Sequence, residues 1–273
     1  MSNLKRGLSG YIPVRNGIKL DYCWIEAAES LLPVCDELIL CDSDSTDGTR
    51  EFMEDWAKRE PKIRVLNRPW PVLPTFAEWK EDKARPPSDA LMLVKWLNWI
   101  RQHCRYDMQI TTDADEVLDD RCHQKIRRAV ELREPRWFRR LNFWQDAQHL
   151  VPDGHVCGSN VVRLGPTELE MVSDEPRPGG EPPIRERAVM ESGLTFFHYG
   201  FLRKQDAFFE KAKVMHLALH SSYDPRLLEA ELSGKPWFEL SRWPDNIPLA
   251  TYHEGYHPGC ARAWLRARGY QLP

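Results

Sequence analysis

DELILCDSDSTDGT, residues 36–49, opens as a compact apolar run that ends in a carboxylate at Asp42. That is the pattern of a fully buried strand. Behind it Phe52, Met53 and Trp56 recur at helical spacing, with Thr46 or Asp47 as the N-cap. One strand followed by one helix is a β-α unit, and the flanking sequence repeats it. Residues 8–15 read as a strand and 19–32 as a helix, and residues 62–66 read as the next strand. Ser88 caps a helix whose apolar face holds Leu91, Val94, Trp96, Leu97 and Ile100, and residues 106–112 form a strand ending in Asp113-Ala114-Asp115-Glu116. Such alternation predicts an α/β fold with a mainly parallel central sheet and helices on both faces. Ligands in these sheets bind beyond the carboxyl ends of the strands, and two strands here end in acids, at Asp42 and Asp113.

Residues 1–120 carry this pattern, and residues 121–273 form a less regular extension of the same continuous domain. In the second part we expect a basic helix, strands at 138–144, 159–164 and 194–199, and a helix at 204–220. A turn-rich loop containing EPRPGGEPP covers 165–190, and the tail, rich in Pro and aromatics, wraps the core.

The composition sets outer limits. With 273 residues, 42% hydrophobic and 29% charged, the chain can bury a substantial core, which excludes wholesale disorder or a coiled coil. Lys and Arg number 38 against 41 Asp and Glu, a net charge of -3, so the surface as a whole is not a nucleic-acid or anionic-lipid binder. Seven scattered cysteines (Cys23, Cys35, Cys41, Cys104, Cys122, Cys157, Cys260) form no C-x-x-C pair and read as reduced thiols. No run approaches the roughly 20 apolar residues of a membrane span. The N-terminus has no signal-peptide core, so a cytoplasmic protein is expected.

Asp113-Ala114-Asp115 is the sharpest chemical feature. Two carboxylates one residue apart at a strand end can converge on one hard cation, and oxygen ligands suit Mg²⁺ or Mn²⁺. An open site of that kind suits a nucleotide diphosphate, although an isolated D-x-D is also an ordinary acidic turn. The cluster from Asp42 to Thr49 reads either as an elaborate helix cap or as a nucleoside pocket. His198, beside Phe196, Phe197 and Tyr199, reads as a packed core imidazole or as a ligand. Lys211, Lys213, His216 and His220 share one predicted helix that is exposed or faces phosphate. Trp70, Trp79, Trp137 and Trp144 serve as core or as a stacking platform. Between 121 and 140, eight basic residues (Arg121, Lys125, Arg127, Arg128, Arg133, Arg136, Arg139, Arg140) face only Glu131 and Glu134. That segment is a solvated face or a grip for a polyanion such as DNA.

LSGYIPVRN (8–16), the strand into DSDSTDGT (42–49) and DADEVL (113–118) resemble, in order and spacing, the family-2 glycosyltransferases of the GT-A fold. The match continues more weakly through FHYGF (197–201 with Phe197 to Phe201), the Lys211–Lys213 helix and His257-Pro258, features similar to an uncharacterised phage and bacterial subgroup. The resemblance implies a GT-A (Rossmann-like) architecture with a nucleotide-sugar-binding half at 1–120 and an acceptor-binding half at 121–273. It implies a metal-dependent, inverting hexosyl- or pentosyltransferase that moves a sugar from a nucleotide-diphosphate donor to an acceptor hydroxyl. The acceptor is a saccharide or a hydroxylated base in modified DNA. By position, Arg15, Asp42, Asp44, Asp113 and Lys211 would hold the donor, and Asp115, Asp113 and His198 would hold the metal. An imidazole ligand favours Mn²⁺ over Mg²⁺. Inversion needs a carboxylate base, implied at Asp174, with Glu175 and Asp146 as rivals. One departure is Asp42-Ser43, where many members have two adjacent aspartates, so the base contact differs. Two other readings stay open: a nucleotidyltransferase, which lacks its Gly-rich basic loop at Pro13–Gly17, and a non-catalytic sugar- or nucleic-acid-binding module.

Overall fold

The structure, a computed structural model, describes residues 4–69, 90–144, 146–152, 160–168, 193–204, 206–211 and 249–272. The candidate base Asp174 and its rival Glu175, together with Trp70, Trp79, Ser88, Lys213, His216, His220 and EPRPGGEPP, lie outside the described residues.

The β-α alternation resolves into β1 (Lys5–Val14), α1 (Trp24–Leu31), β2 (Glu37–Asp42), α2 (Thr49–Arg59), β3 (Ile63–Asn67), α3 (Ala90–Arg101) and β4 (Tyr106–Thr111). These four strands run parallel in the order β4-β1-β2-β3. The register sets Val14 against Asp42 and Tyr11 against Thr111, so β1, β2 and β4 end at one edge. Every residue of β2 is buried, as its continuous apolar run requires of a strand covered on both faces. Leu38 and Leu40 join Ile12, Val14, Trp24, Leu31 and Met53 on one face, while Tyr11, Ile39 and Cys41 pack against Trp96, Leu97 and Ile100 of α3 on the other. The expected α/β fold, a central parallel sheet flanked by helices, is therefore the one adopted.

Beyond β4 the chain adds an antiparallel wing. It comprises β5 (Glu116–Leu118), α4 (His123–Leu132), β6 (Arg136–Phe143), β7 (His149–Val151), β8 (Asn160–Pro166), β9 (Thr195–His198), β10 (Ala250–Thr251) and α5 (Gly259–Ala267). β8 pairs antiparallel with both β4 and β6, which makes the sheet continuous across the two halves. β9 lies parallel to β6 and antiparallel to β5. The three-residue β5 and the tail helix α5 were not expected from sequence. β5 is too short to show a period, whereas α5 carries a short helical stripe, Ala261, Trp264 and Leu265, that packs with Phe143, Phe197 and Tyr199.

Two boundaries differ from the sequence reading for a shared reason. The helix expected at 19–32 begins only at Trp24, and the expected cap at Thr46 or Asp47 gives way to Gly48 at φ 91. The loops after β1 and β2 are zipped together instead. Backbone N–H groups of Asn16, Ile18 and Lys19 donate to Ser45 Oγ, Thr49 Oγ1 and Asp47 Oδ2, while Thr46 N–H donates to Asn16 Oδ1. Asn16, Asp21 and Asp44 adopt positive φ to allow this. Side chains that cap locally in most proteins here bond across loops.

The six cysteines among the described residues are free thiols. No helix of the described residues is long and apolar enough to cross a membrane.

Where α1 meets α5, Cys260 Sγ donates to the Glu26 carbonyl. Burial there lifts the Glu26 carboxyl from 4.5 to about 7, with Glu29 adding to the rise. The folded chain thus keeps this proton to higher pH than the unfolded chain does. Its stabilising contribution is full below about pH 4.5 and is lost as pH climbs through 7. Glu26→Gln should therefore flatten the decline of denaturant stability between pH 5 and 8, by about 1–2 kcal/mol. Equal slopes in wild type and variant would contradict this.

Candidate active site

Acidic residues at the end of β2 and after β4 meet, across the sheet edge, side chains from the antiparallel wing. Asp42, the last residue of β2, is fully buried. Its Oδ2 accepts from Ser45 N–H at 3.1 Å, whereas Oδ1 has no hydrogen-bond partner among the described residues. A buried carboxylate oxygen without a donor is costly, so this one marks a place where a ligand N–H would be stabilised. Ser43, where the resembling family often has a second aspartate, is turned away: its hydroxyl donates to the Arg68 carbonyl. Asp44 accepts from Asn67 Nδ2 at 3.0 Å and stands at the exposed rim. Arg15 follows β1 directly, with a buried Nε that has no partner among the described residues.

The D-x-D turn is held by β-pairing. Glu116 stands opposite His198 where β5 pairs with β9, and Tyr199 N–H donates to the Asp115 carbonyl. That pairing carries His198 Nε2 to 3.6 Å from Asp115 Oδ1. Gly200 follows directly. A Cβ there would lie 2.6 Å from His198 Nε2 and 2.7 Å from Asp115 Oδ2, so only glycine leaves these two groups their shared space. His198 is buried, packs edge-on against Phe201, and has a partnerless Nδ1 among the described residues. Burial holds its imidazole at about 3, below the usual value, despite the opposing pull of Asp115. The ring is therefore neutral at physiological pH, the form that ligates a metal.

Burial acts to raise the Asp115 carboxyl, yet neighbouring positive charge, Lys211 foremost and Arg203 with it, holds it well below the ordinary carboxylate range. Its Oδ2 accepts from Arg203 Nη2 and from Lys211 Nζ, each at 2.7 Å. Asp113 behaves differently. Its side chain is 42% exposed and accepts from Arg163 at 2.9 Å, with Arg140 3.9 Å away. Glu116, fully buried, accepts from Arg140 at 3.0 Å, from Arg163, from the Thr112 hydroxyl and from Asp113 N–H. Burial opposes its ionisation, but the two guanidinium groups win and keep it charged.

Thus the structure brings together Asp113, Asp115, His198 and Lys211, and sets Asp42 and Arg15 at the ends of the neighbouring strands. No group of three or more His, Cys, Asp or Glu side chains among the described residues forms a closed metal cage. Asp115 and His198 are both buried and stand side by side, one from the turn after β4 and one from β9. Asp146, a rival base, is engaged in a turn: it accepts from the N–H groups of Gln148 and His149 and from His149 Nδ1. Trp144 is buried against Phe201, and Trp137 lies on β6 opposite Val162.

The basic run at 121–140 is largely exposed, but most of its side chains have partners. Arg121, Arg128, Arg133, Arg136 and Arg140 pair with carboxylates, and Lys125 and Arg127 donate to backbone carbonyls. Sequence reading missed Arg203, Arg163, Gly200 and the role of Arg140. Their partners are 50 or more residues away for Arg163–Asp113 and 88 for Arg203–Asp115, and no local pattern announces such contacts.

The family profile described as Glycosyl transferase family 2 matches residues 25–73, from α1 to just past β3. No curated protein matches the chain. Among solved structures, S. aureus TarS 1–349 is similar at 11% identity and TM-score 0.40, covering 87% of this chain and 73% of that one. A longer S. aureus TarS structure aligns at 12% identity and TM-score 0.41, over 91% of this chain and 46% of that one. Glucosyl-3-phosphoglycerate synthase from Mycobacterium tuberculosis, in complex with Mn²⁺, uridine diphosphate and glucosyl-3-phosphoglycerate, aligns at 19% identity and TM-score 0.31. That match covers 50% of this chain and 44% of the synthase. At these identities and TM-scores the likenesses assign no ligand or activity to this chain.

The Glu116–Arg163 pair can be tested on its own. Removing one member of a buried ion pair strands the other, so Arg163→Met and Glu116→Gln should each cost about 3 kcal/mol in chemical denaturation. The double variant should cost clearly less than both together. Simple additivity would show that the pair does not act as a unit.

Proposed function

We propose that this protein transfers a sugar from a nucleotide-diphosphate donor to an acceptor hydroxyl, with inversion at the anomeric carbon. The observation that carries the reading is the approach of Asp115 to His198, one from each half of the chain, at the edge where the parallel strands end. The glycosyl transferase family 2 match over the β2–α2–β3 unit supports it.

Each part of the site has a task in that reaction. Asp42, with its partnerless Oδ1, suits an N–H of the nucleobase, and Arg15 and Asp44 stand at the same rim. Asp113, half exposed and fixed by Arg163, suits the ribose hydroxyls. Asp115 Oδ1 and His198 Nε2 would hold Mn²⁺ or Mg²⁺. Two ligands on one octahedral ion stand about 3 Å apart given bonds of roughly 2.1 Å, and the observed 3.6 Å is within easy adjustment of that. The nitrogen donor favours Mn²⁺. A bound divalent ion would neutralise charge on the leaving diphosphate without proton transfer. Lys211 and Arg203 supply further positive charge where that diphosphate would sit.

Inversion requires a carboxylate to accept the proton of the attacking hydroxyl. Asp146 is committed to its turn and to His149, which favours Asp174 in this role, with Glu175 as its neighbour. Pairing of Arg121, Arg133 and Arg140 with carboxylates outside the 121–140 run lowers its positive excess, which favours a saccharide or other hydroxyl acceptor over DNA.

Two measurements test the reading. With Mn²⁺ and the donor sugar nucleotide, Asp115→Ala should lower turnover, followed as nucleoside diphosphate release, by roughly 100-fold or more. Release of pyrophosphate in its place would point to nucleotidyl transfer and overturn the proposal. Gly200→Ala, which crowds His198 Nε2 and Asp115 Oδ2, should weaken Mn²⁺-dependent donor binding at least ~10-fold, since small misplacements at such sites are costly. Unchanged donor affinity in that variant would place the metal elsewhere.

A further inference from the structure

Asp115 Oδ2 has two positive partners of unequal freedom. Arg203 is locked. Its Nε donates to the Gly200 carbonyl at 2.8 Å, Nη1 to the Leu20 carbonyl at 2.7 Å and Nη2 to Asp115, and its face lies 4.1 Å from the centre of the Tyr22 ring. Its side chain is 1% exposed, and moving it would strand two carbonyls. Among the described residues Lys211 donates one hydrogen bond, of 2.7 Å, to the same oxygen, and its ammonium stands 5.3 Å from the Tyr22 ring centre. It is 21% exposed, in a helical segment, on a four-carbon stem that pivots readily.

The charge balance around the turn adds a second observation. Among the described residues, three carboxylates (Asp113, Asp115, Glu116) meet four cationic side chains (Arg140, Arg163, Arg203, Lys211), so positive groups are in excess by one there. A bare divalent cation approaching Asp115 meets this surplus, whereas a diphosphate is attracted by it.

We propose that Lys211 is an exchangeable counter-ion of the site: it competes with the divalent cation for Asp115, and moves to the diphosphate when metal and nucleotide arrive together. This rests on the nucleotide-sugar reading of the same site. Arg203 remains on Asp115 throughout and positions it, while Lys211 carries its charge from carboxylate to phosphate. Metal and nucleotide therefore bind synergistically, because each relieves a penalty the other would meet alone.

The test is calorimetry on the full chain, first with Mn²⁺ alone, then with uridine, guanosine, cytidine and adenosine diphosphates at saturating Mn²⁺. Lys211→Met should bind Mn²⁺ alone at least ~10-fold more tightly than wild type. Its Kd for the preferred nucleoside diphosphate should rise by at least ~10-fold, and Lys211→Arg should keep the wild-type weakness for Mn²⁺ alone. These opposed shifts are the signature, since a merely structural lysine would weaken both. If wild type binds a nucleoside diphosphate with Mn²⁺ but Lys211→Met gains nothing for Mn²⁺ alone, the exchange is wrong and the transferase reading survives. If wild type binds none of the four with Mn²⁺, both fall.

Discussion

Asp115 and Glu116 bury two adjacent carboxylates, with Asp113 half exposed beside them, at the point where β4 leaves the sheet. Burying an anion is tolerable only if a cation or several donors are supplied with it. None is available locally, so the chain brings them from far away: Arg140 on β6, Arg163 on β8, and Arg203 and Lys211 after β9. The antiparallel wing thus does more than extend the sheet. It delivers the counter-charges without which the acidic turn would not stay folded and ionised.

Two kinds of neutralisation result, and the difference between them gives the site its character. Glu116 is enclosed by two guanidinium groups, a hydroxyl and a backbone N–H, and works as a structural anchor for the turn. Asp115 Oδ2 is shared by Arg203 and Lys211, while Oδ1 lies 3.6 Å from His198 Nε2, beside Gly200, where an added Cβ would not fit. The first carboxylate is enclosed by four donors, and the second by two cations and a neighbouring imidazole. Burial that keeps His198 neutral fits this arrangement, because a protonated imidazole could neither ligate a cation nor stand so near Arg140 and Lys211 without repulsion.

On the nucleoside side the constraint is conformational. The loops after β1 and β2 bond to one another through Asn16, Ser45, Asp47 and Thr49, with Asn16 and Asp44 held at positive φ. Strained backbone of this kind persists only where surrounding bonds over-determine it. Here it surrounds Asp42, whose Oδ1 is left without a partner among the described residues.

The local sequence was sufficient for the parallel half of the fold, because an apolar run such as Leu38–Cys41 and a helical stripe such as Met53–Trp56 record burial at short range. It also singled out Asp42, Asp113 and Asp115 as candidates, since acids at strand ends are visible in the chain itself, whereas His198 and Lys211 were implied by resemblance. What it left undecided was which cation each carboxylate of the turn is buried with. That depended on Arg163 reaching Asp113 and Glu116, on Arg203 and Lys211 reaching Asp115, and on β5 pairing with β9. Ion pairs and strand registers across 50 to 100 positions leave no periodic trace, because their energy comes from burial together, and only the assembled sheet decides who is buried with whom.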